Sequence, residues 1–114
     1  ELAFLKEHNI KTVSDKDIRD GNGTKLLKDI TSTFDRVYLS VDLDVLDPAF
    51  APGVGNPEAV GISSRELYDL ITTFQNKKIV AADMVELNPT YDNGSTASMA
   101  AKMIATIIAM NLSR

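Results

Sequence analysis

Asp42 and Asp44 close an apolar run at residues 36–43, "RVYLSVDL", and are the residues of this chain best placed by type and spacing to do chemistry. Two residues apart on a strand, they are expected to point to the same side. They also fall at the carboxyl end of that strand, where open α/β sheets place their ligands. Two carboxylates that close repel, and one takes up a proton unless a cation lies between them. All-oxygen ligation favours a hard divalent ion such as Mg or Mn over Zn. The competing reading is that both aspartates cap the following turn through backbone N–H groups. Asp47 precedes Pro48 and is read as a turn residue.

A third carboxylate, Glu86, ends a later apolar run in "DMVELNP". If the two strands are neighbours, Glu86 reaches the rim that carries Asp42 and Asp44. An acid beside a metal but not needed to bind it suits recognition of a cationic substrate group. A guanidinium is the best geometric match, through paired hydrogen bonds. The plainer reading is a solvated strand-end glutamate. Asp83, three residues earlier, is read as a buried, hydrogen-bonded group. His8, the single histidine, sits at the end of the first helix and is read as a surface residue.

The elements that must hold these groups follow from periodicity. Residues 1–8 have helical spacing of Leu2 and Leu5 and end near Asn9. Residues 10–14, "IKTVS", read as a short strand. Residues 15–34 begin polar and then form a helix with Leu26, Leu27 and Ile30 on one face. The run at 36–43 suits a parallel strand covered on both faces. A Pro/Gly-rich loop spans 47–61. Residues 63–74 form a helix opened by Ser63 and Glu66 at capping-box spacing. Residues 78–87 read as another strand. A long helix closes the chain, and its narrow polar stripe (Ser98, Lys102, Thr106) predicts that most of its surface is buried. Three strands alternating with helices predict an α/β fold with a parallel sheet and right-handed crossovers. So small a sheet has two open edges, which predicts completion by further chain or by a partner.

Composition narrows the function classes. The chain has 114 residues, 44% of them hydrophobic and 25% charged, which fits one folded domain. A net charge of −4 without a basic cluster argues against nucleic acid and against a membrane surface as partners. The longest apolar stretch, 97–110, is interrupted by Lys102 and falls short of the ~18 apolar residues of a membrane span. With no cysteine, thiolate chemistry and disulfides are excluded within this sequence, and a cytoplasmic location is expected. The sequence opens on Glu1 in what reads as mid-helix, so a piece of a longer protein is expected.

Two motif explanations fail on spacing. A calcium-binding EF-hand loop starting at Asp42 needs Gly at its sixth position and Glu at its twelfth, and these hold Asp47 and Gly53. "GVGNPEAVG" is not the Gly-x-Gly-x-x-Gly of a dinucleotide site. "VDLDVL" does resemble the first strand of haloacid-dehalogenase-like phosphatases, with Asp42 as nucleophile and Asp44 as acid/base, although "DPAFAPG" differs from the loop of that family.

The longer pattern has a better match. "SVDLDVLDPAFAPGVGNPEAVGIS" (40–63) with "DMVELNP" (83–89) resembles the C-terminal half of the ureohydrolase superfamily of arginase, agmatinase and formimidoylglutamase. "DPAFAPG" leans toward agmatinase. The resemblance implies the C-terminal part of an arginase-like three-layer α/β/α fold, with residues 1–114 a fragment of one domain. It implies hydrolysis of a guanidinium C–N bond, as of agmatine to putrescine and urea, with two Mn ions activating water. Asp42 would bridge the ions, Asp44 would ligate one, and Glu86 would hold the guanidinium. A homo-oligomer, trimer or hexamer, is implied as well. Two departures stand out. The family usually carries Gly-Thr-Pro where this sequence has Gly55-Asn56-Pro57, which makes Asn56 the residue expected near the substrate. Its usual Gly-Gly is Val60-Gly61 here. The family's His-containing metal motifs are absent from these 114 residues, so the chain alone is expected to be inactive. A non-catalytic assembly module is the competing class.

Overall fold

The computed structural model describes residues 1–112. Its centre is a pair of parallel strands, β1 (Arg36–Asp42) and β2 (Lys78–Val85). Five helices surround them: α1 (Leu2–Glu7), α2 (Asp15–Arg19), α3 (Gly23–Thr31), α4 (Ser64–Thr72) and α5 (Ser95–Leu112). The register sets Ser40 beside Asp83 and Asp42 beside Val85, with an irregularity after Val37 that leaves Val80 without a partner. The α/β class and the parallel sheet are as the sequence predicts.

The strand count differs. Residues 10–14 pair with no strand, and the described sheet has two members rather than three. The reason is local. Ser14 caps α2, its hydroxyl accepting from the Asp17 N–H while the Asp17 carboxylate accepts from the Ser14 N–H at 2.9 Å. This is a capping box with Asp in place of Glu, and it draws the segment into a helix start. The long helix expected over the next stretch is broken as well. Gly21 takes φ +78°, a conformation that L side chains resist, so α2 ends there and α3 begins anew.

The core forms where alternate residues of β1 meet the helices. Val37, Leu39 and Val41 turn inward with Ile79 of β2, onto Leu67, Ile71 and Phe74 of the α4 region and Met103 and Ile107 of α5. The expected capping box at Ser63 and Glu66 is present, with the Ser63 N–H donating to the Glu66 carboxylate at 2.7 Å. Lys77 Nζ donates to the carbonyls of Thr31, at 2.8 Å, and Phe34, at 2.6 Å, closing the orphaned end of α3.

β1 is covered on one face only. Tyr38, Ser40 and Asp42 lie on an open face, where the Tyr38 hydroxyl and the Ser40 hydroxyl (2.7 Å) both donate to Asp83. Asp83 is thus hydrogen-bonded as the sequence suggests, but half-buried rather than buried, because it lies on the open face. α5 also departs from expectation. It buries Thr96, Ala100, Met103 and Ile107, a single stripe, and leaves Ile104, Ile108 and Leu112 exposed. Its apolar composition had pointed to burial nearly all round, but this chain supplies a packing layer on one side alone. Near its end, the Asn111 carboxamide accepts from the Ile79 N–H at 3.3 Å and donates to the Ile79 carbonyl at 2.7 Å.

Candidate functional site

The loop after β1 begins with a buried anchor. Leu43, Leu46, Ala51 and Val54 are all fully buried, so the polar residues between them are held by apolar neighbours sunk into the core. β1 ends at Asp42, and residues Leu43–Val45 form one 3-10 turn. Asp44 is therefore on the turn, and simple strand alternation does not place it. Asp42 Oδ1 accepts from the Asp44 N–H at 2.9 Å, which caps the turn and swings Asp44 to the rim. The turn-capping reading holds for one oxygen of Asp42, and its other oxygen has no hydrogen-bond partner among the described residues. Asp47 works on the loop itself, its two oxygens accepting from the Ala49 N–H at 2.8 Å and the Val60 N–H at 2.9 Å.

Glu86 follows the last residue of β2. Because Asp42 and Val85 are partners in register, Glu86 stands one step beyond Asp42 at the same rim. Its φ is +65°, an uncommon conformation that costs a non-glycine residue about 1–2 kcal/mol. The turn brings the side chain back over the loop from β1: Glu86 Oε2 lies 3.0 Å from where a side chain on Gly55 would begin. The Gly55 N–H donates to the Glu86 carbonyl at 3.3 Å. A side chain at position 55 would press on the carboxylate, which would have to give by a few tenths of an ångström.

Asn56 stands at this rim, against Asp44. Its backbone N–H donates to Asp44 Oδ1 at 3.3 Å and its carboxamide to Oδ2 at 3.2 Å. The structure thus brings Asp42, Asp44, Asn56 and Glu86 to one rim. His8 is elsewhere, stacked on Phe4 with ring centres 4.0 Å apart at the end of α1.

One residue of the assembly was not singled out from sequence. Asp92 accepts from the N–H groups of Gly94 and Thr96, each at 2.8 Å, and from the Ser95 hydroxyl at 3.0 Å. The Thr96 side chain and backbone, then Gly94 and Ser95, lower its pKa to about 2. The buried Thr96 hydroxyl in turn accepts from the Gly53 N–H at 2.9 Å, and the Asn88 N–H donates to the Gly53 carbonyl at 2.8 Å. A side chain on Gly53 would run into the Asp92 carboxylate at 2.7 Å. The start of α5 therefore fixes the loop that carries Gly55 and Asn56. The signal was available: Asp-x-Gly-Ser-Thr ahead of an apolar run is a helix start.

The rim fits a hard divalent ion in the kind of donor it offers and not in their number. Two carboxylates stand together, but no group of three Asp, Glu, His or Cys that could hold a metal occurs among the described residues.

Comparison with known proteins agrees with this geometry. The model of the arginase family matches residues 1–110. Over 67 residues the chain is 51% identical to the agmatinase of Bacillus cereus, an alignment covering 57% of this chain and 23% of that protein. The agmatine ureohydrolase of Thermoplasma volcanium superposes with a TM-score of 0.78 at 39% identity, over 86% of this chain and 33% of the other. Proclavaminate amidino hydrolase from Streptomyces clavuligerus superposes at 0.88 and 32% identity, over 97% of this chain and 38% of the other. The chain spans between a fifth and two fifths of these relatives. Sequence motif, sheet register, superposition and family match coincide, and the chain belongs to the arginase family of ureohydrolases.

Proposed function

We propose that this chain forms the C-terminal part of the active site of a Mn-dependent ureohydrolase acting on agmatine. The observation that carries the reading is the convergence of Asp42, Asp44 and Glu86 at one rim, by register pairing of Asp42 with Val85. Asp42 and Asp44 would hold metal. When bound, the ions supply activation of water for attack on the guanidinium carbon. Glu86, turned back by its left-handed backbone, would pair with the guanidinium and fix its plane, since a carboxylate can take two parallel N–H bonds from it. Agmatine is favoured over arginine by the likeness to agmatinases at 45–51% identity over part of the chain. The donor set is half of what a two-metal site requires, so the 114-residue chain by itself would be inactive.

The test is urea release from agmatine by the complete Mn-loaded protein, with arginine and other guanidino compounds as comparisons. Preferred turnover of agmatine supports the reading. Turnover of arginine instead would move the substrate but keep the site. Mn binding without turnover of any guanidino compound would sink it.

A further inference from the structure

Asn56 supplies both hydrogen bonds that orient the Asp44 carboxylate. Its N–H reaches Oδ1 at 3.3 Å and its carboxamide nitrogen reaches Oδ2 at 3.2 Å. An ionised carboxylate accepts only, so the nitrogen end of the carboxamide is the end that must face it. Among the described residues no other side chain or N–H group holds Asp44. Its own N–H is spent on Asp42. Without the Asn56 carboxamide only the backbone N–H would hold Asp44, through Oδ1, and the carboxylate would be looser about its last torsion, which is broad for aspartate.

Each Asp44 oxygen has two lone pairs, so one donor per oxygen sets the plane and leaves a lone pair on each for a cation. The donor is itself fixed. Its loop is tied at Gly53 to Thr96 and Asn88, and at Gly55 to Glu86. A polar group that orients a ligand through its outer side is the arrangement on which metal affinity depends beyond the ligands themselves.

We propose that Asn56 is a positioning residue for the metal ligand Asp44: it fixes the plane of that carboxylate and does not contact the substrate. This rests on the reading of Asp42 and Asp44 as metal ligands. It also separates two roles at one position, positioning of Asp44 and contact with the substrate, which the test below reads apart.

The test compares wild type, Asn56→Ala and Asp44→Asn in the complete protein. Mn affinity is measured by equilibrium dialysis, and kcat and KM for agmatine at saturating Mn. Asn56 is exposed, so the Ala variant should fold, and its metal-free melting temperature controls for that. Asn56→Ala is expected to weaken Mn binding by about 10–100-fold, with KM unchanged once Mn saturates. Asn56→Ala and Asn56→Thr both keep the backbone N–H to Oδ1, and Thr, which offers a hydroxyl in place of the carboxamide, should recover part of the affinity. Unchanged Mn affinity in Asn56→Ala, or a raised KM with affinity intact, overturns the proposal and leaves the metal reading standing. If Asp44→Asn also binds Mn like wild type, both fall together.

Discussion

At the scale of single residues, Glu86 is the sharpest case. Its position at the rim was legible in the sequence, because it ends an apolar run next to the one ending in Asp42. Its left-handed backbone was not legible, since no glycine marks it. Strain of this kind at a charged side chain persists only where the surroundings hold it, here through the Gly55 N–H. Glu86→Gln in the complete protein should lower kcat/KM for a guanidino substrate by about 100-fold, equivalent to a charge-assisted hydrogen bond of about 2–3 kcal/mol. Mn content should be unaltered, and its loss would make Glu86 a ligand instead. Asp92 supplies a second expectation. Its folded pKa of about 2 lies below the ordinary aspartate value of 3.8, so its contribution is full above pH 4. That contribution is lost as pH falls through the interval from 4 to 2. Asp92→Asn should flatten the acid limb of an unfolding profile in that interval. An unchanged limb would assign acid sensitivity to Asp15, Asp17 and Glu66, whose pKa values are lowered as well.

At the scale of elements, helices with a marked start were legible and their breaks were not. Ser63 and Glu66 announce α4 by spacing alone, and the structure bears this out. Ser14 and Asp17 make the same box, but "IKTVS" looked like a strand because Ile10, Thr12 and Val13 are β-formers. Propensity yielded to the lack of a neighbouring strand. The loop from β1 was legible as a loop but not as a rigid one. Its stiffness comes from Leu43, Leu46, Ala51 and Val54, buried at positions with no period. Ser63→Ala should cost about 1 kcal/mol of stability. Gly61→Ala should cost more, because its side chain would begin 2.5 Å from the Asp47 nitrogen and 2.7 Å from the Val45 carbonyl, both backbone atoms. Chemical denaturation ranks the two, and a neutral Gly61→Ala would mean that the loop gives way.

At the scale of the whole molecule, the sequence predicts a small sheet with open edges, and the described sheet has two strands. One face of the sheet is open. Beside β1 runs an apolar groove of about 640 Å³ lined by Val13, Ile18, Leu39, Val41, Leu67 and Ile71 among others. Leu2, Val60 and Leu112 are each more than 70% exposed. Apolar surface on this scale invites association. The chain expressed alone is expected to show a mass that rises with concentration in sedimentation velocity. A strict monomer across the range would show that the open face is tolerated. Fold class was readable because period and alternation are local. The exposure of the second face was not, because burial depends on what lies opposite.

The pairing of Asn111 with Ile79 bears on how that surface is completed. The Lys78 N–H donates to Asp35 across the sheet, so the next residue, Ile79, turns its own N–H and carbonyl outward to the unshared edge of β2. A single carboxamide occupies both. The first outward rung is thus already taken by the molecule's own tail. The extra residue Val80 breaks the alternation after Ile79, so a strand arriving at that edge finds its free rungs only beyond the irregularity, toward Glu86. One amide near the end of a helix thereby acts as a stop that selects the alignment of the incoming strand, and steers it toward the end of the sheet where the carboxylates wait.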